Sequence, residues 1–126
     1  MPRPGERVKI FFDGGLRPEG MEYALVCRGE RRVRQGLGPG TSMTAEWLAL
    51  LAATHWALSL GEPAVLVGDS AAVIAQARGR VPARGDHAAH LTEWRALVAN
   101  GPRPALRQVK RAQNLAGIAL DRLPGR

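Results

Sequence analysis

The feature that most constrains the fold is a short apolar run in the middle of the chain. Ala64-Val-Leu-Val-Gly68 contains no polar side chain and lies between Pro63 and Asp69. A continuous run of this length is typical of a β-strand buried on both faces, as in a parallel sheet covered by helices. Asp69-Ser70 then opens a predicted helix over residues 71–77.

Three strand candidates precede this run. Residues 8–13 are apolar and β-prone up to Asp13, and Gly14-Gly15 predicts a turn directly after them. Residues 21–28 and 31–36 are the other two, and the Gly29-Glu30 step between them fits a tight hairpin. The third candidate carries three arginines, which favours a sheet edge or a position facing a ligand.

Helical segments connect the later strands. Gly38-Pro39-Gly40 breaks the chain, and Thr41 or Ser42 can cap a helix over residues 44–60. Residues 87–100 predict a helix, 105–110 a last strand and 112–123 a last helix. The order predicts an α/β fold, in which an antiparallel three-stranded meander and two parallel strands form a mixed five-stranded sheet with helices on both faces.

The length of the chain predicts one domain over residues 1–126, with a frayed polar lead over residues 1–7. Cys27 is the one cysteine, so no internal disulfide can form, which fits a reducing compartment. No apolar segment of signal-peptide type follows the start, and the longest apolar stretch is too short and too polar to span a bilayer. We therefore expect a cytoplasmic monomer without a membrane partner.

The charge balance favours a polyanionic partner. Eighteen Lys and Arg residues face eleven Asp and Glu residues, which gives a net charge of +7. A basic chain of this size suits nucleic acid, because each phosphate contact releases condensed counterions. A solvated arginine-rich surface without a partner is the alternative, since net charge reports on association and not on fold.

Three acids stand at junctions between predicted elements. Asp13 closes the first strand, Asp69 follows the most apolar strand, and Glu46 lies in the first turn of the long helix. Strand ends and neighbouring helix starts meet in a crevice of α/β sheets, where clustered carboxylates need a cation between them. Oxygen-only ligands select hard divalent ions, Mg²⁺ first and Mn²⁺ second.

Each of these acids also has a local structural interpretation. Asp69-Ser70 could cap its helix, Glu46 could be a first-turn acid favoured by the helix dipole, and Asp13 could form a turn before Gly14. Their joint occurrence at three junctions favours a metal site.

Four segments in order resemble the motifs of ribonucleases H of type 1. Phe11-Phe12-Asp13-Gly14-Gly15 is similar to the first motif, and residues 44–53, which contain Glu46, are similar to the second. Residues 65–74, with the Asp69-Ser70 step, are similar to the third, and residues 109–114 are similar to the fourth. The similarity therefore covers nearly the whole chain.

The resemblance implies the ribonuclease-H-like fold, in the compact archaeal-like and bacterial form without a basic protrusion. It implies an endoribonuclease that cleaves the RNA strand of RNA–DNA hybrids with two Mg²⁺ ions. Matched residue by residue, Asp13 would bridge both ions, and Glu46 and Asp69 would each bind one. The implied nucleic-acid contacts are Gly14, Ser42, Ser70, Arg111 and Asn114.

The last motif departs from the family pattern at its fourth carboxylate. That acid stands four residues after the Asn of the motif, where this chain has Ile118. Asp121, about one turn further along the helix, is the candidate fourth catalytic residue if the helix shifts, for which Gly117 leaves room. The alternative is a surface acid paired with a nearby arginine.

Three substrate-reading segments differ as well. Ser42-Met43 stands where the family has Asn-Asn, Ala71 where it has Gln, and residues 18–20 where it has Asn-Pro-Gly. Such amides distinguish RNA from DNA through bases and 2′-hydroxyls. Three functions stay open: a hybrid-specific nuclease, a binding protein of the same fold with weak or no catalysis, and a related nuclease with other substrates.

The histidines and tryptophans have structural interpretations. His87 and His90, near Asp86, could bind a transition metal, but a solvated helix start is favoured because no third strong ligand lies close in sequence. Structural roles are also expected for His55, Trp47, Trp56 and Trp94.

Overall fold

The computed structural model describes residues 6–126. The strands are β1 (Val8–Arg17), β2 (Gly20–Cys27), β3 (Glu30–Arg34), β4 (Ala64–Gly68) and β5 (Ala105–Gln108). The helices are α1 (Ser42–Leu60), α2 (Ala71–Ala77), α3 (Asp86–Val98) and α4 (Leu115–Asp121), with a 3-10 turn over Arg111–Gln113. Of the predicted lead, residues 1–5 lie outside the described residues, and residues 6 and 7 are exposed ahead of β1.

The strands form one mixed sheet in the order β3-β2-β1-β4-β5. β1, β2 and β3 pair antiparallel, and β4 pairs parallel with both β1 and β5. This confirms the predicted meander and the predicted addition of two parallel strands. All five residues of β4 are buried, as expected for a central strand of a sheet that is covered on both faces.

Helices cover both faces of the sheet. On one face, α1, α2 and α3 share a core with Phe12 of β1 and Leu66 of β4. On the other face, α4 packs Ala116 and Leu120 against Ala24 of β2. Since side chains alternate along a strand, neighbouring residues of β1 serve opposite faces.

The three tryptophans belong to the first of these cores, as predicted. Trp47 and Trp94 are fully buried, and each indole N–H donates a hydrogen bond, to Gln76 Oε1 at 2.8 Å and to Thr54 Oγ1 at 2.9 Å. Trp56 is also buried. In the described part of the chain, no helix is both long and apolar enough to cross a membrane.

The first strand does not end at Asp13, and the predicted turn at Gly14-Gly15 is wrong. β1 continues to Arg17, and Asp13, Gly14 and Gly15 all pair with β2. The pairing of β1 with β4, in contrast, ends at Phe11 opposite Val67. Asp13 therefore lies where β1 extends beyond the carboxyl end of β4, and this leaves an open space beside β1 at that end of the sheet.

The last helix begins later than its predicted start at residue 112. Asn114 caps α4, because its side-chain Oδ1 accepts a hydrogen bond from the Ala116 N–H at 3.1 Å. Residues 111–113 form the separate 3-10 turn. The Asn114 backbone N–H closes this turn by donating to the carbonyl oxygen of Arg111.

Candidate metal and active site

Asp13 on β1, Glu46 on α1 and Asp69 after β4 come together at one edge of the sheet. Each offers one carboxylate oxygen, and the three oxygens lie within 4.8 Å of one another. Asp13 and Glu46 are buried, and Asp69 is half-buried. The parallel pairing of β1 and β4 explains the meeting, because both strands run toward this edge and α1 starts beside it.

Gly14 sets the distance between β1 and α1. Its backbone N–H donates a hydrogen bond to Glu46 Oε1. A Cβ at this position would lie 2.3 Å from the carbonyl group of Ala45, so only a residue without a side chain allows the two backbones to approach. Gly14 thereby holds the Glu46 carboxylate toward Asp13.

Asn114 holds Asp69 from the other side. Its side-chain Nδ2 donates to Asp69 Oδ2 at 3.1 Å and to the backbone oxygen of Phe12 at 3.0 Å, while Oδ1 caps α4. The residue is fully buried, so the amide is not placed for the predicted contact with nucleic acid. Asn114 instead connects β1, Asp69 and α4, which makes it a positioning residue.

The clustered acids repel one another, which favours a proton or a cation between them. Burial raises the pKa of Asp13 to about 6. A hydrogen bond from the Glu46 carboxyl partly opposes this increase, and the charge of Asp69 adds to it. Burial and the charge of Asp13 raise the pKa of Glu46 to about 9. At neutral pH, Asp13 and Glu46 therefore hold one proton as a hydrogen-bonded pair.

This donor set fits a hard divalent cation. All three potential ligands are oxygens, and their partial burial leaves negative charge that solvent stabilises poorly. Within residues 6–126, no other group of three or more acidic, histidine or cysteine side chains converges in this way. His87 instead bonds Thr44 Oγ1 through Nε2 at 3.2 Å, and the His90 ring stacks on Trp47.

α4 presents a glycine to Asp13, not an acid. A Cβ on Gly117 would lie 3.2 Å from Asp13 Oδ2. Ile118, the position expected for the fourth acid, follows Gly117 and so points about 100° around the helix from it. Asp121 lies one turn beyond Gly117 on the same face of α4. The Asp121 side chain is 68% exposed, and its Oδ1 lies 3.8 Å from Arg111 Nη2. Asp121 thus stands at the rim of the site and outside the carboxylate cluster.

A cleft of about 610 Å³ opens above the cluster. Four of the five predicted nucleic-acid contacts line it: Gly14, Ser42, Ser70 and Arg111. The Arg111 guanidinium is exposed, and its charge lowers the pKa of Asp13 against the effect of burial. The cleft therefore combines an acidic floor with a cationic rim.

The sequence interpretation did not include three further residues of the cleft: Arg17, Glu22 and Arg126. Glu22 is buried, and both of its carboxylate oxygens accept hydrogen bonds from the Arg126 guanidinium, one at 2.5 Å. These bonds lower the pKa of Glu22. An acid inside an apolar strand was the available signal, but its partner lies 104 residues away in sequence.

No protein-family model and no curated protein sequence matches the chain, whereas solved structures do. The N-terminal RNase H domain of a Mycobacterium tuberculosis protein superposes with a TM-score of 0.75 at 26% identity, covering 91% of this chain and 95% of that domain. RNase H1 from the halophilic archaeon Halobacterium salinarum gives 0.74 at 29% identity, covering 92% and 98%. The chain is ribonuclease-H-like.

A third neighbour was solved with bound nucleic acid. LC11-RNase H1 in complex with an RNA/DNA hybrid superposes with a TM-score of 0.73, covers 86% of this chain and 88% of its own, and shares 16% identity, so it supports the fold alone. The ribonuclease-H-like neighbours as a group indicate a nuclease. Residues 78–85 lead from α2 to α3 without a further helix, as expected for a compact ribonuclease-H-like chain.

Proposed function

We propose that this chain is a metal-dependent endoribonuclease that cleaves the RNA strand of RNA–DNA hybrids. The observation that carries the proposal is the convergence of Asp13, Glu46 and Asp69 within 4.8 Å on the floor of a cleft. Such a set of carboxylates suits Mg²⁺, with Mn²⁺ as a substitute. Bound divalent ions would supply an activated water and charge stabilisation for the leaving oxygen.

The chain's own residues orient the carboxylates. Asp13, Glu46 and Asp69 would hold the ions, the Gly14 N–H fixes Glu46, and the Asn114 amide fixes Asp69. Because Asp13 and Glu46 are buried, their charges are poorly screened by solvent, which strengthens their interaction with a bound cation.

The surroundings of the cleft support a nucleic-acid substrate. Ser42 and Ser70 offer hydroxyls at its rim, and Arg111 and Arg17 offer positive charge. The net charge of +7 adds long-range attraction for phosphates. Among the structural neighbours, one was solved with an RNA/DNA hybrid and another, a foamy viral protease-reverse transcriptase, with dsDNA. The choice of hybrid is the finer part of the proposal.

A cleavage assay on a labelled hybrid tests the proposal. We expect metal-dependent nicking of the RNA strand in Mg²⁺ or Mn²⁺, none in EDTA, and none after Asp13→Asn, because the buried ligand at the centre of the cluster is lost. The control is Asp86→Asn, which removes an exposed acid at the start of α3. Equal nicking by Asp13→Asn, or nicking in EDTA, would show that the proposal is wrong.

A second candidate is a binding protein of the same fold with little catalysis. The position of Gly117 against Asp13 and the pairing of Asp121 with Arg111 favour it, because the cluster then has three acids instead of four. This function predicts salt-sensitive binding of the hybrid without cleavage in either metal. Parallel binding and cleavage assays on the same hybrid separate the two.

A further inference from the structure

A second concave surface lies on the α1 face of the sheet and shares no lining residue with the cleft above the carboxylate cluster. This groove, of about 500 Å³, runs between the β2–β3 hairpin and the middle of α1. It is lined by Tyr23, Leu25, Arg32 and Arg34 from the sheet and by His55 and Trp56 from the helix. No step of the proposed cleavage uses these residues.

The groove combines positive charge with flat side chains. Arg34 and His55 are exposed, and neither makes an ion pair with a described residue. The Arg32 guanidinium lies 3.7 Å from the centre of the Trp56 ring, and its Nε donates to Glu30 Oε2 at 2.8 Å, so these two contacts hold it as a flat plate over the ring. Leu25 and Trp56 are buried beneath and form an apolar floor.

The strand register places one end of this groove close to the carboxylate cluster. Arg34 pairs with Tyr23, and Tyr23 pairs with Gly14, whose N–H binds Glu46. Two strand spacings therefore separate Arg34 from Gly14, about 10 Å. Arg32 lies two residues back along β3 on the same face, so the two arginines are about 7 Å apart.

We propose that this groove binds single-stranded nucleic acid that extends from the duplex held in the cleft. Such sites combine a cationic groove that follows the phosphates with flat side chains on which bases stack. Here Arg34 and His55 would contact phosphates, and Tyr23 and the Arg32 plate would contact bases. The inference rests on the proposed function for the location of the duplex and goes beyond it in assigning the flanking strand.

The charge of the groove decides between the possible occupants. A second copy of this chain would bring more positive charge against Arg34, since the chain carries +7. An acidic peptide satisfies the charge but has no need for the flat plate over Trp56. A nucleic-acid strand satisfies both the charge and the stacking surface.

Fluorescence anisotropy in EDTA tests the inference with two ligands: a blunt RNA–DNA hybrid and the same hybrid with a single-stranded dT extension. We expect the extension to tighten binding about tenfold, which is the effect of a single stacked base. Arg34→Gln combined with His55→Gln should abolish that gain and leave blunt-hybrid affinity nearly unchanged. Arg95→Gln, which removes one exposed arginine from α3, is the matched control and should keep the gain.

Three results would overturn the inference. They are an extension that adds no affinity, a gain lost equally in Arg95→Gln, and displacement of the extension by poly-Glu at equal charge concentration, which would indicate an acidic protein partner. Cleavage of the blunt hybrid is measured in parallel. Cleavage without an extension effect rejects only the groove, and an extension effect without cleavage rejects only the proposed nuclease.

Discussion

At the scale of single residues, the site depends on two uncharged positions. Gly14 lets α1 approach β1, and Asn114 connects Asp69 with Phe12 and α4. The sequence could indicate the acids, because each stands at a junction between predicted elements. It could not indicate the role of Asn114, since the Phe12 carbonyl that it binds lies 102 residues away and becomes a neighbour only after folding.

Gly14→Ala should separate β1 from α1. The added Cβ would lie 2.3 Å from the Ala45 backbone, and backbone cannot move aside as a flexible side chain can. We expect a loss of about 1–3 kcal/mol in the free energy of unfolding, as for other overpacking substitutions, and weaker Mg²⁺ binding. Chemical denaturation and calorimetric Mg²⁺ titration measure the two effects.

Gly15→Ala is the matched control for this prediction. A Cβ there would lie 3.5 Å from Glu22 Oε2, an ordinary contact, so the free energy of unfolding should change by less than about 0.5 kcal/mol. Equal losses in the two variants would show that the close approach of α1 to Gly14 is not what requires glycine.

At the scale of elements, the type and order of every strand and helix followed from the sequence, but some ends did not. The apolar run of β4 predicted its burial on both faces, because no polar residue interrupts it. The end of β1 was misplaced, since Gly14-Gly15 resembles a turn locally yet pairs with Tyr23 and Glu22 of β2. Pairing with β2 therefore outweighed the local preference of two consecutive glycines for a turn.

α4 carries a prediction of its own. Asp121 is 68% exposed, and its pair with Arg111 spans 3.8 Å, so Asp121→Asn should change the free energy of unfolding by less than about 0.5 kcal/mol. Because Asp121 stands at the rim and not in the cluster, its effect on kcat/KM should be much smaller than that of Asp13→Asn. Thermal melts and hybrid cleavage rates check both. An equal loss of kcat/KM in the two variants would place Asp121 among the ligands.

At the scale of the whole molecule, the sequence indicated a basic chain but not where its charge acts. Folding collects the acids on the floor of one cleft, while Arg17 and Arg111 line the same cleft and Arg32 and Arg34 line the groove along α1. The placement of Arg17 and Arg126 depends on strand register and on a distant ion pair. Composition alone indicates neither the strand register nor the ion pair.

The pH dependence of stability without divalent metal follows from the raised pKa of Glu46. The folded chain holds this proton up to about pH 9, whereas the unfolded chain releases it near the ordinary value of 4.5. The stability that this one group contributes is therefore fully present below pH 4.5 and is lost as the pH rises through 9. We expect the Tm in EDTA to fall between pH 7 and pH 9, measured by circular dichroism.

Two variants of the measurement identify the source of this slope. Glu46→Gln should flatten it, because the amide does not titrate, and Mg²⁺ should raise the Tm most at pH 9, where the ligands are deprotonated. Cys27, whose pKa is raised above 9, and His90, whose pKa is lowered below 6.5, fall outside this window. A Tm that is flat or rises toward pH 9 would contradict the assignment.

The proton held between Asp13 and Glu46 also affects the proton release and the heat that accompany ion binding. A divalent cation that enters the cluster must displace that proton, so each binding event at neutral pH releases acid into the solution. The observed heat of binding then includes the ionisation heat of the buffer and differs between phosphate and Tris. By the same exchange, we expect cation binding to weaken as the pH falls, because protons and the cation would compete for the same carboxylates.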